Sequence, residues 1–246
     1  MNQTLEEIFA RKSVRAFTDE PITQADKQLI LEAALQAPTA GNMTLYTILD
    51  ITDPALKVRL SETCDHQPFI ASAPLVLVFC ADYKRWYDAF CKYTDTVRLP
   101  DAGDMMLAQA DTLIAAQNAV VAAESLGIGS CYIGDITENY EIHKELLKLP
   151  KYVIPVAMLV MGHPTEQQKR REKPPRFAVE DVVYENGYDA EKAAKMPEML
   201  QKRQSLDGEA FASWMDKFCK RKWNSDFSIE MSRSCNEIIK DFCKGE

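Results

Sequence analysis

Hydrophobic positions along the chain alternate between the spacing of amphipathic helices and the continuous runs of buried strands. Helical spacing predicts helices at 5–9, 23–37, 53–60, 106–126 and 138–149. Apolar runs of strand length predict strands at 45–51, 75–79, within 127–135 and at 153–161. Thr23 and Asp53 are good N-cap residues for the helices that follow them, and Pro38 and Pro150 end the helices that precede them.

Two of these segments indicate how the core is built. The run Leu75–Phe79 is continuously apolar, which is typical of a strand in a sheet that is covered on both faces. The helix predicted from Met106 to Leu126 is apolar on nearly all sides, so we expect it to be buried nearly all round. It is a candidate for the centre of a domain or for a dimer seam.

Strands and helices are interleaved irregularly, which favours an α+β fold over a doubly wound nucleotide-binding fold. No G-x-G-x-x-G follows a strand and no Walker loop is present, so phosphate is not bound in either of those ways. From Asp189 onward the sequence is polar and helical. We interpret four aromatic residues there as anchors of a segment that wraps or docks: Phe211, Trp214, Phe218 and Trp223.

Composition narrows the classes of protein and of partner. The 246 residues are 46% hydrophobic and 27% charged, as in a globular domain with a full core. A net charge of −8 argues against a nucleic acid or an anionic membrane as the main partner. Nothing at the N-terminus resembles a signal peptide, and the longest apolar runs have the length expected of strands rather than of membrane spans. Seven cysteines without a Cys-x-x-Cys pair predict reduced thiols in a cytoplasm and no metal site.

A local basic segment stands out in this acidic chain. If residues 11–17 are extended, Arg11, Ser13 and Arg15 point to one side and Val14 and Ala16 to the other. Two guanidinium groups around a hydroxyl form a good receptor for phosphate oxygens. The alternative is a solvated basic turn between a helix and a strand.

Four short motifs occur in order, each of them weak alone. They are Arg-x-Ser-x-Arg at 11–15, Ala-Pro-Thr-x-x-Asn at 37–42, Ala-Gln-Asn-x-x-x-Ala-Ala-Glu-Ser-Leu-Gly at 116–127 leading to Tyr-Ile-Gly-Asp at 132–135, and Lys-Pro-Pro-Arg at 173–176. Together they resemble the nitroreductase superfamily of FMN-dependent NAD(P)H oxidoreductases over roughly residues 1–200. The similarity is greatest to the NADPH-preferring, oxygen-insensitive nitroreductase and flavin reductase branch.

The resemblance implies a fold, an assembly and a binding site. It implies an α+β nitroreductase-like fold with a mostly antiparallel central sheet flanked by helices, in an intertwined homodimer. Residues 1–187 would form the FMN-binding domain and residues 188–246 a helical extension that wraps the core or the partner subunit. The cofactor-binding residues carried over are Arg11, Lys12 (mostly by its backbone), Ser13, Arg15, Pro38 and Thr39 from the partner subunit, Gln67, Tyr132, Ile133, Gly134, Asp135, Lys173 and Arg176.

In this family bound FMN takes electrons from NAD(P)H and gives them, in ping-pong order, to nitroaromatic, quinone or flavin acceptors. The chemistry belongs to the cofactor, so we assign no catalytic residue, and the three histidines are interpreted as surface or structural residues. The alternatives are a non-catalytic FMN-storage or sensing protein, a dehalogenase-like branch of the same fold, and a phosphate-binding scaffold without flavin.

Two positions invite narrower hypotheses. Asp135 stands where the family commonly has glycine, and a carboxylate beside the flavin ring would lower its potential. The alternative is that Asp135 points to solvent and only its N–H matters. Lys202 and Arg203 could pair with the 2′-phosphate of NADPH, or could form a solvated helix end.

Overall fold

In a computed structural model, which describes residues 1–243, the hydrophobic core forms around a four-stranded sheet. Its strands are β1 (Tyr46–Asp50), β2 (Leu75–Asp82), β3 (Gly129–Ile133) and β4 (Val153–Gly162). They lie in the order β1-β2-β4-β3, and each neighbouring pair is antiparallel. The predicted α+β class with an antiparallel central sheet is therefore confirmed.

The five helices predicted with bounds are present in the described residues, and further helices lie among and after them. Those before β3 are α1 (Gln3–Ala10), α2 (Gln24–Leu35), α3 (Pro54–Thr63), α4 (Pro68–Ser72), α5 (Lys84–Tyr93) and α6 (Ala102–Ser125). Those after it are α7 (Tyr140–Leu146), α8 (Glu166–Arg170), α9 (Val179–Val182), α10 (Ala190–Ala193), α11 (Met196–Gln204), α12 (Gly208–Lys222) and α13 (Asp226–Cys243). Thr23 and Asp53 cap α2 and α3 as predicted, each accepting a hydrogen bond from a backbone N–H of the first turn.

Strand β2 shows why the sheet is covered on both faces. All eight of its residues are buried. Leu75, Leu77 and Phe79 pack with residues of α2 and α6 on one face. Val76, Val78 and Cys80 pack with residues of α3 and α4 on the other face. This alternation confirms the prediction drawn from the continuous apolar run.

Helix α6 is central, but its burial is less complete than predicted. Small residues on one side, such as Ala115, Ala119 and Ala123, are fully buried against the sheet and α2. Apolar residues on the other side are 41–67% exposed in the single chain: Met106, Leu107, Leu113 and Ile114. The expectation of burial nearly all round is thus wrong for one chain, and an apolar face of α6 remains open.

The chain divides into two compact units. The first contains Met1–Arg171 and the chain from Glu230 onward, and the second contains Glu172–Ile229. Within the first unit, α13 docks on α7: the Ser234 hydroxyl accepts from Tyr140 N–H (3.1 Å), and the Tyr140 hydroxyl donates to Asp241 (2.7 Å). The predicted boundary between an FMN-binding domain (residues 1–187) and a helical extension (residues 188–246) is a different division of the chain, and it stays a prediction.

The aromatic residues of the second unit fulfil only part of their predicted role. Phe211 is buried, and Trp214 stacks between Phe211 and Phe218 along α12. Trp223 is 79% exposed in the single chain, so its role as an anchor stays a prediction. Among the described residues, no helix is both long enough and apolar enough to cross a membrane.

Candidate functional site

The segment that follows α1 is extended along the edge of the sheet, as predicted. Val14 N–H donates to the Ser130 carbonyl (2.9 Å), which places Ser13 beside β3 in parallel orientation. Val14 is buried and Arg15 is exposed. Burial raises the pKa of the Cys131 thiol, while Arg15, Ser13 and Arg11 act to lower it. The three polar residues therefore lie on one side of the segment, next to β3.

A glycine in β3 allows this close approach. A Cβ atom at Gly129 would lie 2.6 Å from Cγ2 and 2.9 Å from Cβ of Val14. The Val14 Cβ is part of a stiff, branched side chain close to its backbone, so it cannot move away without shifting the segment. Gly129 thus sets the distance between the basic segment and the sheet.

We expect Gly129→Ala to destabilise the protein by about 1–3 kcal/mol, the usual cost of overpacking a tight core. Urea unfolding measures this cost. The matched control is Gly103→Ala in α6, where a Cβ meets no atom within 4 Å and alanine improves helix propensity. A Gly129→Ala protein as stable as the wild type would contradict the close packing.

Two residues at the C-terminal end of α8 and just after it, Lys169 and Arg171, contact the basic segment. The Lys12 ammonium donates to the carbonyl of Lys169 (2.7 Å) and to that of Arg171. The Arg171 guanidinium donates in return to the Ser13 carbonyl. The Lys12 side chain is thereby committed to the protein, which agrees with a role for its backbone alone. Arg171 was not among the predicted site residues.

The guanidinium groups of Arg11 and Arg15 are suited to binding an anion such as the phosphate of FMN. Within residues 1–243, neither Arg11 nor Arg15 forms an ion pair with a carboxylate, and the buried Arg11 Nε has no hydrogen-bond partner. At the end of β3, Gly134 is exposed, and a Cβ there would meet no atom within 4 Å. The described chain thus offers two guanidinium groups that pair with no carboxylate, and open space at the end of β3, and these residues fit the cofactor.

Tyr132 and Ile133 form the last part of β3, and Gly134 and Asp135 begin a 3-10 turn. Burial raises the pKa of Tyr132 to about 12, and Arg11 acts in the opposite direction, so the two side chains are close. Gln67 caps α4 and donates its side-chain amide to the Cys64 carbonyl (2.9 Å). The two residues before it, Asp65 and His66, have left-handed backbones.

The loop at Pro38 and Thr39 is held from inside the protein. The Thr39 hydroxyl donates to the Asp111 carboxylate and accepts from Thr44 N–H (2.8 Å). The hydroxyl of Thr39 is therefore used within its own chain. Exposed Pro38 and the backbone of Thr39 remain the parts of this loop that can face another molecule.

A buried acid lies just beyond Asp135. Glu138 is 5% exposed, and its Oε1 has no hydrogen-bond partner in the described chain. Burial, with Asp135, Asp65 and Glu230 adding to it, raises the pKa of Glu138 to about 7. The carboxyl is therefore more easily protonated in the folded protein than in the unfolded chain.

Because folding raises this pKa from 4.5 to about 7, the folded state binds the extra proton and stability falls as pH rises through that window. Glutamine imitates the protonated form. We expect Glu138→Gln to raise the melting temperature relative to the wild type at pH 8, with little difference at pH 5. The exposed Glu145→Gln serves as control. A Glu138→Gln effect that is the same at both pH values would contradict this assignment.

Lys173 and Arg176 belong to the second unit and lie in irregular chain between α8 and α9. In that unit the Arg203 guanidinium lies 4.1 Å from the ring centroid of Phe177, the residue after Arg176. Two basic segments of the second unit are thus adjacent. The joint role of Lys173 and Arg176 with the first unit stays a prediction.

The three histidines lie in different surroundings. His143 is buried between the Ile136 carbonyl (3.0 Å) and the Thr63 hydroxyl (2.8 Å), and burial lowers its pKa. His66 is exposed, and His163 lies 3.9 Å from Glu20. Their interpretation as structural or surface residues fits these positions. In the described residues no cluster of His, Cys, Asp or Glu is suited to a metal ion.

Comparison with known proteins agrees with this arrangement. Residues 8–163, more than half of the chain, match the nitroreductase family. The chain therefore belongs to the nitroreductase family, and the resemblance found in its motifs is confirmed.

Individual relatives support the same branch. The oxygen-insensitive NADPH nitroreductase of Salmonella typhimurium is 38% identical over 76% of this chain and 75% of its own. The FMN reductase [NAD(P)H] of Bacillus subtilis is 36% identical over 73% of each chain. The structure of the NADPH:FMN oxidoreductase from Vibrio harveyi complexed with NAD+ superposes with a TM-score of 0.78, at 29% identity, over 97% of this chain and 98% of that one.

Proposed function

We propose that this member of the nitroreductase family is an FMN-dependent oxidoreductase that moves electrons from NAD(P)H to nitroaromatic, quinone or flavin-type acceptors in a ping-pong cycle. The observation that carries the proposal is the pair of guanidinium groups beside Ser13 and β3 that no carboxylate neutralises within residues 1–243. Relatives named as an NADPH nitroreductase and an FMN reductase support the donor and the cofactor. When bound, FMN would supply the chemistry of hydride transfer and electron transfer.

The residues of the chain bind and orient this cofactor. Arg11, Ser13 and Arg15, with the backbone of Lys12, hold the phosphate and ribityl end, together with Lys173 and Arg176. Charge-assisted hydrogen bonds from guanidinium groups give this end most of its affinity. The backbone from Tyr132 through Asp135 lies along the ring, and Gln67 reaches the ribityl chain or the ring. Lys202 and Arg203 pair with the 2′-phosphate of NADPH.

The functional assembly is a homodimer in which the partner subunit's Pro38 and Thr39 complete each site. The support is the apolar face of α6, which residues of the described chain leave open. The extension formed by residues 188–246 wraps the core or the partner subunit. The protein works in the cytoplasm on small-molecule acceptors, without a nucleic-acid or membrane partner.

Anaerobic spectroscopy tests the proposed function. The purified protein should be yellow, should lose its flavin absorbance rapidly when NADPH is added under argon, and should regain it with a nitroaromatic or quinone acceptor. A yellow protein that bleaches slowly or not at all would identify a storage or sensing protein. A protein that retains no added FMN would contradict the proposal. The ratio of bleaching rates with NADPH and NADH gives the donor preference.

The charge of Asp135 should tune this cofactor. A carboxylate beside the ring disfavours added negative charge, so Asp135→Gly should raise the midpoint potential of bound FMN, on the order of tens of millivolts. Asp135→Asn should raise it similarly, because it also removes the charge. Dye-equilibrated reductive titration measures the potential. An unchanged or lower value would mean that only the Asp135 backbone faces the cofactor.

A further inference from the structure

One buried carboxylate in the middle of α6 has no role in the site as described so far. Asp111 is 4% exposed and forms no ion pair with a cation in residues 1–243. Removing a carboxylate from water is costly unless hydrogen bonds replace its hydration. In this protein those hydrogen bonds come from the loop that follows α2.

The loop donates to Asp111 from three separate residues. The Thr39 hydroxyl donates to Oδ2, and Ala40 N–H donates to Oδ1 (3.1 Å) and Oδ2 (3.2 Å). Leu45 N–H donates to Oδ2 at 3.4 Å. The donors lie near both ends of the loop. One carboxylate therefore holds the part of the loop that follows α2 and the part that precedes β1.

The loop also needs external support for its shape. Gly41, Asn42 and Thr44 all have left-handed backbones, with φ of 56°, 58° and 53°. Non-glycine residues rarely adopt this conformation, and it persists where surrounding contacts impose it. Asp111 holds the residues on either side of this stretch, Ala40 and Leu45, from a helix of 24 residues that is anchored in the core.

We propose that Asp111 is a positioning residue for cofactor binding, which holds the Pro38–Thr39 loop in the shape that the FMN of the partner subunit requires. This inference rests on the proposed function. An apolar residue at this buried position would avoid the cost of desolvating a charge, so packing alone does not account for an aspartate. Asp111 precedes the exposed Leu113 and Ile114 by less than one turn, so the same rigid helix carries the loop anchor and the open apolar face.

The test compares two buried carboxylates. Asp111→Asn keeps the shape of the side chain but retains only one acceptor oxygen for the loop. Its control is Asp104→Asn, because Asp104 is also a buried carboxylate of α6, 6% exposed, and it accepts from Arg98 (2.8 Å) and Asp101 N–H (2.9 Å) outside the loop. The dissociation constant of FMN is measured for each at a temperature where circular dichroism shows it folded.

We expect Asp111→Asn to weaken FMN binding by about tenfold or more, since hydrogen bonds to a charged acceptor are about twice as strong as neutral ones. Asp104→Asn should stay within about twofold of the wild type. Wild-type affinity in Asp111→Asn, or an equal loss in Asp104→Asn, would overturn the inference. A wild-type protein that binds no FMN would instead overturn the proposed function, so the two failures are distinguishable.

If Asp111→Asn does not fold, Thr39 provides a second route. Thr39→Val removes the donated hydrogen bond and Thr39→Ser retains it. Hydrogen exchange at the Ala40 and Leu45 amides of the FMN-loaded protein should accelerate in Thr39→Val and stay at the wild-type rate in Thr39→Ser. Equal exchange and equal FMN affinity in the two variants would overturn the inference. Where Asp111→Asn and Thr39→Val both fold, a double-mutant cycle that combines them should show a non-additive loss of FMN affinity.

Discussion

Replacing Arg15 with alanine is expected to reduce FMN affinity more than tenfold. The Arg15 guanidinium lies next to Ser13 and Cys131 and pairs with no carboxylate in the described chain. A hydrogen bond to a charged group contributes about 1.5–3 kcal/mol, and 1.4 kcal/mol corresponds to about a factor of ten in a dissociation constant. Equilibrium dialysis of the purified protein against FMN measures the loss.

The control for Arg15→Ala is Arg59→Ala. Arg59 is also an exposed arginine, but its guanidinium pairs with Glu62 within α3. Its removal should leave FMN affinity unchanged, because a surface ion pair of this kind contributes little. If Arg15→Ala retains FMN as well as the control does, the basic segment at residues 11–15 does not bind the phosphate.

A charge on the open face of α6 is expected to prevent dimerisation. Leu113 and Ile114 are 43% and 41% exposed in the single chain. Burying such a side chain contributes about 1.5–3 kcal/mol, and the two-fold symmetry of a homodimer doubles the effect. Ile114→Asp should therefore raise the dimer dissociation constant at least about a hundredfold. Light scattering after size-exclusion chromatography measures the molar mass.

The same variant should also lose FMN, because the partner subunit's Pro38 and Thr39 would no longer reach the site. Val58→Asp is the control, since Val58 is 47% exposed on α3 but stands between Lys57 and Arg59 rather than in an apolar face. A dimeric Ile114→Asp protein, or a monomer that binds FMN with wild-type affinity, would disprove the role given to this face.

Most helices and strands of the core could be predicted from the sequence, because N-caps and apolar runs act between residues that are close together in the chain. Caps at Thr23 and Asp53 fix where α2 and α3 begin, and the continuous apolar run of β2 requires a sheet covered on both faces. The pattern also predicted that Val14 and Arg15 face opposite ways, since side chains alternate along extended chain. Helix α7 is shorter than its pattern indicated at both ends, because Asn139 just before it and Lys148 just after it adopt left-handed backbones, so it ends before Pro150.

Contacts between distant parts of the chain left no such signal. Arg171 reaches Ser13, and Asp111 reaches Thr39, across more than 70 positions that no periodicity connects. Asp111 could have been noticed as an aspartate within a helix that is otherwise apolar on nearly all sides.

The central claim is that two basic segments far apart in the sequence bind one FMN phosphate, and a crystal structure of the protein with FMN tests it most directly. The account predicts phosphate oxygens within hydrogen-bond distance of Arg11 or Arg15 and also of Lys173 or Arg176. A structure in which Arg15 and Arg176 are far apart, with no anion between them, would contradict it.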